Sequence, residues 1–174
     1  ASGFRESRTN DWKEKKEMGG GALYDMGVYS IQGARLGTGK EPIAVVKATT
    51  STNRPHIYKN GLDETTEATL DFGDGLMANI KTSFGENINH LNISFAKGSL
   101  NVSPYQSYAG LRAKVNGTDI YHDYRVPFQQ AKQMDDDALA IREGKQLLVP
   151  GGLRDISIVE AIYKAAATGK AVNV

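Results

Sequence analysis

The chain has 174 residues, of which 40% are apolar, 24% charged and 8% aromatic, and this composition excludes a disordered or fibrous protein. Its 21 Lys and Arg residues nearly balance its 20 Asp and Glu residues, so bulk charge gives no reason to expect nucleic acid or an anionic membrane as a partner. Because the sequence contains no cysteine, it excludes a disulfide framework, a thiolate nucleophile and Cys-ligated metal sites. We expect one hydrophobic core and no membrane-spanning segment, since no stretch approaches roughly 18 apolar residues.

The first predicted element is a helix that follows a polar start. Residues 18–34, MGGGALYDMGVYSIQGA, carry a single charge, Asp25, and their apolar residues recur at helical spacing. This pattern predicts a buried helix over about 21–36, which ends at Gly37 or Gly39.

Seven segments with β character come next along the chain. Several of them alternate apolar and polar residues, which is typical of antiparallel strands with one buried face. A Gly-Asp-Gly turn at 73–75 and an Asn-Gly turn at 116–119 predict two tight hairpins. The predicted strands are 43–52, 65–72, 76–84, 91–96, 99–103, 111–116 and 119–126.

The last third of the sequence returns to helices. They are predicted over about 128–143, before Gly144, and over about 153–168, before Gly169. A helix, then many antiparallel strands, then more helices indicate an α+β domain built from a sheet and helices. Neither an internal repeat nor a linker divides residues 1–174. The chain begins as though within an element, so we expect a fragment of a longer protein with a polar lead-in at 1–11.

Two other motifs do not support the functions that they first suggest. Residues 73–78 match the GxGxxG/A dinucleotide-binding pattern, but here a strand follows the glycines, whereas phosphate binding requires the start of a helix. His56, His90 and His122 lie far apart without the spacing of a metal site, so we expect no metal.

Asp25 and Tyr29 form the candidate site with the clearest chemistry. Four residues apart on a helix, they lie about 40° apart on one face, with Gln32 close to the same line. A structural interpretation is available, because Asp25 is close to the helix N-terminus, where an anion is favourable, and Tyr29 could hydrogen-bond to it. In the functional interpretation, the glycines before the helix let another segment or a flat ring approach its start.

Residues 12–42, WKEKKEMGGGALYDMGVYSIQGARLGTGKEP, resemble the signature that opens the C-terminal domain of Gfo/Idh/MocA oxidoreductases, particularly the glucose-fructose oxidoreductase branch with Tyr where others carry His. The hairpin at 65–84, the strand pair at 91–105 and the tail at 128–172 resemble later family elements in the same order. The resemblance implies an α+β fold with a large, mostly antiparallel open β-sheet covered by helices on one face, as in the C-terminal domain of glyceraldehyde-3-phosphate dehydrogenase. It also implies that residues 1–174 are the substrate half of an enzyme whose Rossmann domain is not in this sequence.

The same resemblance implies roles for individual residues. Asp25 and Tyr29 match the family's catalytic positions, beneath the nicotinamide of NAD or NADP that the Rossmann domain holds. Tyr29, assisted by a Lys of that domain, would exchange the proton of a substrate hydroxyl, and Asp25 would orient the group and the substrate. The remaining candidates are substrate contacts at Lys13, Gln32 and Gln133 and cofactor contacts at Gly20 and Gly21.

The expected function is that of the C-terminal half of an NAD(P)-dependent oxidoreductase acting on a sugar, cyclitol or related polyhydroxy compound by hydride transfer. An NAD-dependent glycoside hydrolase and a non-catalytic binding or assembly module remain open alternatives. By itself the chain is expected to be inactive and to bind NAD(P) negligibly. The compartment also remains open, with the cytoplasm favoured over the periplasm.

Two partners are expected besides the small-molecule substrate. One is the Rossmann domain of the same protein, and the other is a second copy of the chain, which would form a homo-oligomer through the open sheet face. The reason is that the apolar strand residues are too many for one face to bury: Leu76, Ile80, Leu91, Ile93 and Leu100.

Overall fold

A computed structural model describes most of the chain, and the predicted lead-in at 1–11 lies outside the described residues. These residues form two compact units, where we expected one core: residues up to Ile88 together with Leu153–Val174 form the first, and Asn89–Gly152 form the second. The description covers residues 12–105, 110–123, 129–145 and 152–174.

The helices lie close to their predicted positions. The predicted helix at 21–36 is confirmed, although it opens with a π-helical turn, and it ends at Gly39, whose φ of 66° is a left-handed conformation that glycine adopts readily. Two short 3-10 helices precede it. In chain order the helical elements are the 3-10 helices Trp12–Glu14 and Lys16–Met18, the π turn Leu23–Gly27, α1 (Val28–Thr38), α2 (Gln129–Arg142) and α3 (Gly152–Thr168).

All seven predicted strands are present close to their predicted bounds, and a short eighth strand follows α3. Both predicted hairpin turns are also confirmed. Asp74 and Asn116 have φ values of 54° and 50° beside positive-φ glycines, as tight hairpin turns require. The strands are β1 (Ala44–Ser51), β2 (Thr65–Asp71), β3 (Met77–Ser83), β4 (Leu91–Phe95), β5 (Gly98–Val102), β6 (Gly110–Val115), β7 (Thr118–Asp123) and β8 (Val172–Asn173).

The described strands pair as two four-stranded antiparallel sheets, which confirms the mostly antiparallel α+β fold class. Their orders are β3-β2-β1-β8 in the first unit and β4-β5-β6-β7 in the second. The strand residues expected in one large open sheet are thus divided between two. The break falls between β3 and β4, where residues 84–90 connect the sheets without a strand.

The core of the first unit lies between one face of its sheet and the helices. Leu70 of β2 and Ile80 of β3 pack there against Leu23, Ile158 and Ile162 from the helical elements, and all five side chains are buried. Burying one such side chain fully contributes roughly 1.5–3 kcal/mol. The helices therefore cover one face of this sheet, as expected.

The opposite face of the first sheet is mostly polar, with Met77 exposed at one end of β3. Lys81 of β3 forms an ion pair with Glu67 of β2, and the Thr69 hydroxyl donates to Asn79. Such cross-strand polar pairs stabilise a face that water can reach.

The described residues of the second unit form an antiparallel meander and α2. The register pairs Ile93 with Leu100 and Leu100 with Val115, so apolar side chains share one face of β4, β5 and β6. Across the described parts of the chain, every helix is too short or too polar to cross a membrane.

Candidate active site

Close backbone packing fixes the chain just before the helix that carries Asp25. The N–H of Gly20 donates to the carbonyl of Lys15 and that of Gly21 to the carbonyl of Lys13, each at 2.9 Å. A Cβ on Gly20 would lie 2.5 Å from the Lys13 carbonyl oxygen, and a Cβ on Gly21 would overlap the carboxylate of Asp63. The chain itself therefore requires glycine at both positions, and their role as cofactor contacts stays a prediction.

A buried carboxylate holds the first turn of the helix. Asp63 is 1% exposed, and its Oδ2 accepts a 2.9 Å hydrogen bond from the N–H of Leu23 and a 2.8 Å bond from the hydroxyl of Thr66. Its Oδ1 accepts a 2.7 Å bond from Tyr163, and its backbone carbonyl accepts from the N–H of Ala22 at 3.0 Å. The first N–H groups of a helix lack acceptors within the helix, and Asp63 supplies the acceptors for two of them. Burial, and then the charge of Asp63, raises the pKa of Tyr163.

The π turn at Leu23–Gly27 brings the two candidate catalytic residues closer to one line. In a π turn each N–H bonds to the carbonyl five residues earlier rather than four. Each turn therefore contains more residues, and the rotation per residue is smaller than in an α-helix. Asp25 lies in this turn and Tyr29 follows it in α1. A Cβ on Gly27 would lie 2.5 Å from Cδ1 of Leu23, so a larger residue here would have to displace that buried side chain. The prediction that Asp25 and Tyr29 share a helical face agrees with this geometry.

The partner that the structure shows for Asp25 is Lys13. Its Nζ lies 2.7 Å from Oδ2 of Asp25, and the two side chains are only 19% and 15% exposed. The same ammonium group lies 5.3 Å from the centre of the Trp12 ring, within the range of a cation–π contact. The pair compensates the partly buried carboxylate electrostatically, and this site therefore presents a carboxylate with a fixed orientation.

Two tyrosines of this segment differ in their exposure. Tyr29 is 47% exposed in this chain. Tyr24 donates to Glu160 and packs against Tyr163 with 5.4 Å between ring centres. Burial, and then the hydrogen bond and charge of Glu160, raises the pKa of Tyr24 to about 12. Nearly half of the surface of Tyr29 is exposed.

The two glutamines predicted as substrate contacts lie in different units of the chain. Gln32 donates to Asp155 of α3, which also accepts a 2.7 Å hydrogen bond from Arg35. This contact gives Gln32 a structural partner within the first unit. Gln133 belongs to α2 of the second unit, and its side chain lies outside the described part of the structure. Both assignments to the substrate stay predictions.

A metal centre is not formed by the residues described. Over 12–105, 110–123, 129–145 and 152–174, no three His, Asp or Glu side chains converge in a way that could hold an ion.

Asp63 and the pairing of Lys13 with Asp25 were missed in the sequence analysis. Asp63 precedes a strand within the polar run LDETTE, a position typical of an exposed turn. Its burial depends on contacts with Leu23 and Tyr163, and these residues lie 40 and 100 positions away in the chain. The one usable signal was Gly21, since a glycine before a helix indicates that something approaches closely.

The fold agrees with the comparison to known families. The model of the GFO/IDH/MocA C-terminal domain matches residues 2–119, more than half of the chain. The chain therefore belongs to the Gfo/Idh/MocA family.

Solved structures of similar fold include sugar-converting oxidoreductases. An aldose-aldose oxidoreductase from Caulobacter crescentus, solved with glycerol, is 32% identical with a TM-score of 0.85, and the match covers 99% of this chain and 53% of that one. A levoglucosan dehydrogenase solved with NADH and levoglucosan is 19% identical with a TM-score of 0.79, covering 99% and 56%. An oxidoreductase domain protein from Kribbella flavida is 16% identical with a TM-score of 0.72, covering 97% and 54%. The chain thus spans about half the length of these proteins.

Proposed function

We propose that this chain is the C-terminal, substrate-binding and catalytic half of an NAD(P)-dependent oxidoreductase that acts on a sugar, cyclitol or related polyhydroxy compound. The observation that carries the proposal is the arrangement on one helix of an ion-paired carboxylate and a half-exposed tyrosine. Asp25 is bonded to Lys13 at 2.7 Å, and Tyr29, 47% exposed, follows one turn later. Membership of the family and the sugar oxidoreductases of similar fold support it.

The chemistry assigned to these residues is proton transfer and orientation. Oxidising an alcohol carbon removes a hydride from carbon and a proton from its hydroxyl, leaving a carbonyl. In oxidation the phenolate form of Tyr29, assisted by a Lys of the Rossmann domain, would accept that proton and become the phenol, and in reduction the phenol would return it. Asp25, held by Lys13, accepts a hydrogen bond from a substrate hydroxyl and so fixes which hydroxyl faces Tyr29.

The residues present fit a nicotinamide cofactor that is bound mainly by another domain. Tyr29 is 47% exposed on α1. The glycines at 19–21 lead into the helix, but the N–H groups of residues 20–23 already donate to Lys13, Lys15 and Asp63, so they are not available to a pyrophosphate. When bound, NAD or NADP accepts the hydride that leaves the substrate carbon. The proposal therefore includes a Rossmann domain of the same protein as the partner of this chain.

A second copy of the chain is the other proposed partner, through the apolar face of the second sheet. Phe95 and Ile120 are 56% and 44% exposed on this face. Two of the residues first expected at the interface do not belong to it, because Ile80 is buried in the core of the first unit and Leu76 packs against that core. The support comes from β4–β7 rather than from the first sheet, whose outer face is mostly polar.

The experiment that tests the function uses the full-length protein that contains this chain. Purified protein is incubated with NAD or NADP and a panel of aldoses, polyols and cyclitols, and formation of NAD(P)H is followed by absorbance. Turnover of at least one polyhydroxy compound, lost in Tyr29→Phe, is the expected result. Hydrolysis of a glycoside with retained NAD and no net change in its redox state would replace the proposal with the hydrolase alternative.

A further inference from the structure

We propose that Asp63 is a positioning residue for the reaction, because it sets the first helical turn so that Asp25 faces Lys13 in the geometry that turnover requires. This inference rests on the proposed function, and it assigns to the same site a residue that does not touch the substrate. Asp63 acts through the backbone of Ala22 and Leu23, three and two residues before Asp25.

The hydrogen bonds of Asp63 hold the start of the helix in position, and we call Asp63 the anchor of this turn. Both carboxylate oxygens are used, by Leu23 and Thr66 on one and by Tyr163 on the other, and the residue is 1% exposed. Among the ion pairs formed by the described residues, none includes Asp63. Its charge is compensated by the N–H of Leu23 at the helix start and by the hydroxyls of Thr66 and Tyr163, so the carboxylate favours one position of that turn.

The anchored turn is also held from other directions. The hydroxyl of Thr82 donates to the carbonyl of Ala22 at 3.3 Å, while the N–H of Ala22 donates to Asp63. The Tyr163 ring packs on Tyr24, next to Asp25 in the chain. A shift at Leu23 would therefore be transmitted over two peptide units to Asp25. Since the bond from Lys13 is 2.7 Å long, a displacement of about 1 Å would break it.

The next residue in the chain provides a matched control. Glu64 is 2% exposed, so the two carboxylates are almost equally buried. Its carboxylate, however, accepts from the N–H of Asn53 at 2.8 Å and from the guanidinium of Arg54 at 2.7 Å, both in the loop after β1. Neutralising Glu64 perturbs a buried carboxylate without removing a bond to the helix start.

The test compares Asp63→Asn with Glu64→Gln in the full-length enzyme. An amide has one acceptor oxygen, so the substituted side chain cannot accept at both the Leu23 and the Tyr163 position. We expect both variants to lower the melting temperature. Only Asp63→Asn should also reduce kcat of the folded enzyme, by roughly 10-fold or more with KM for the dinucleotide little changed, since a 1 Å misplacement can cost about 10²-fold. Equal kcat values for the two folded variants would overturn the proposal.

Tyr163→Phe covers the case in which Asp63→Asn does not fold. It removes one bond to Oδ1 and leaves the charge of Asp63 and its bond to Leu23 in place. A smaller decrease in kcat, again with little change in KM for the dinucleotide, is the expected result, and kcat equal to wild type would contradict the inference.

Amide hydrogen exchange separates this inference from the proposed function. In Asp63→Asn, or in Tyr163→Phe if Asp63→Asn does not fold, the amides of residues 22–25 should exchange faster while those of β2 and β3 keep wild-type rates. Faster exchange in an enzyme without turnover of any polyhydroxy compound would reject the function but retain the anchor. Unchanged exchange in an active enzyme would reject the anchor alone.

Discussion

The ammonium group of Lys13 lies 2.7 Å from Oδ2 of Asp25, and both side chains are largely withdrawn from water. The segment between them returns on itself through the bonds of Gly20 and Gly21 to the carbonyls of Lys15 and Lys13. A cation from the polar start of the chain is thereby placed against the only charge of the following apolar helical segment. The relationship gives Lys13 a direct effect on the candidate catalytic carboxylate.

Replacing Tyr29 tests whether its phenol exchanges the substrate proton. Tyr29→Phe should leave the fold nearly intact and reduce kcat by roughly 10²-fold or more, the usual loss when general acid–base catalysis is removed. Initial rates of NAD(P)H formation in the full-length enzyme, with melting temperatures, provide the measurement.

Tyr24→Phe is the matched control for this substitution. It removes the bond to Glu160, so it should cost about 1 kcal/mol of stability and spare kcat. Near-normal kcat in folded Tyr29→Phe would leave only a structural role for that tyrosine.

Lys13→Met leaves the Asp25 carboxylate without its ammonium partner. We expect roughly a 10-fold loss of kcat, because the orientation of Asp25 is then no longer fixed, and a loss of about 1.5–3 kcal/mol in unfolding free energy, typical of hydrogen bonds to charged groups. Lys13→Arg keeps the charge but changes its geometry, so it should recover part of the rate. If both variants turn over like wild type, the ion pair has no part in the reaction.

Gly21→Ala tests whether this glycine serves packing within the chain. The added Cβ overlaps the carboxylate of Asp63 at a φ of 108°, so we expect roughly 2–4 kcal/mol of destabilisation from overpacking and backbone strain. Gly19→Ala is the control, because it has a positive φ of 74° but no atom within 4 Å, and it should cost only about 1 kcal/mol. Chemical denaturation measures both. Equal losses would show that crowding at Gly21 is unimportant.

The lowered pKa of Glu64 predicts that the folded protein is less stable in acid. Burial acts to raise its pKa, but the hydrogen bonds from Asn53 and Arg54 outweigh that effect, and the pKa is lowered from its usual value of 4.5. A group whose pKa is lower in the folded state contributes stability above its unfolded pKa and loses it as the pH falls through the folded pKa. The unfolding free energy of wild type should therefore fall below about pH 4.5, with a shallower slope in Glu64→Gln.

Thr52→Val controls for the loss of a hydrogen bond to the same carboxylate without removing its charge. Thr52 donates to Glu64 at 3.2 Å, so this variant should be less stable at neutral pH but keep most of the wild-type slope, because Asn53 and Arg54 still donate to the carboxylate. Denaturant unfolding at a series of pH values measures both effects. Identical slopes in wild type and Glu64→Gln would contradict the assignment.

The apolar face of the second sheet predicts a homo-oligomer. Phe95, Val115 and Ile120 share this face and are 56%, 38% and 44% exposed, and exposed apolar patches on sheets mark interaction sites. Ile120→Lys should reduce the mass measured by light scattering to that of a smaller species. Asn101→Lys, on the opposite face, should keep the wild-type mass. A wild-type protein that is monomeric at micromolar concentration would exclude this interface.

The sequence by itself determined the elements and their order. Alternation identified the strands from Ala44 to Asp123, and the glycine and asparagine residues of the turns fixed the hairpins, because both signals arise from neighbouring residues in the chain. The helix with Asp25 and Tyr29 on one face was found in the same way, since helical period alone places residues four apart together.

Only the tertiary structure decided which groups meet the helix. The bonds of Asp63 to Leu23 and Tyr163 join residues 40 and 100 positions apart, and the closure of Lys13 onto Asp25 requires a backbone turn that no periodicity encodes. The division of the strands into two sheets was likewise invisible, because each strand's alternation shows that it has a buried face but not which strands share it. Burial of a charged residue depends on distant partners, and local sequence pattern does not carry that information.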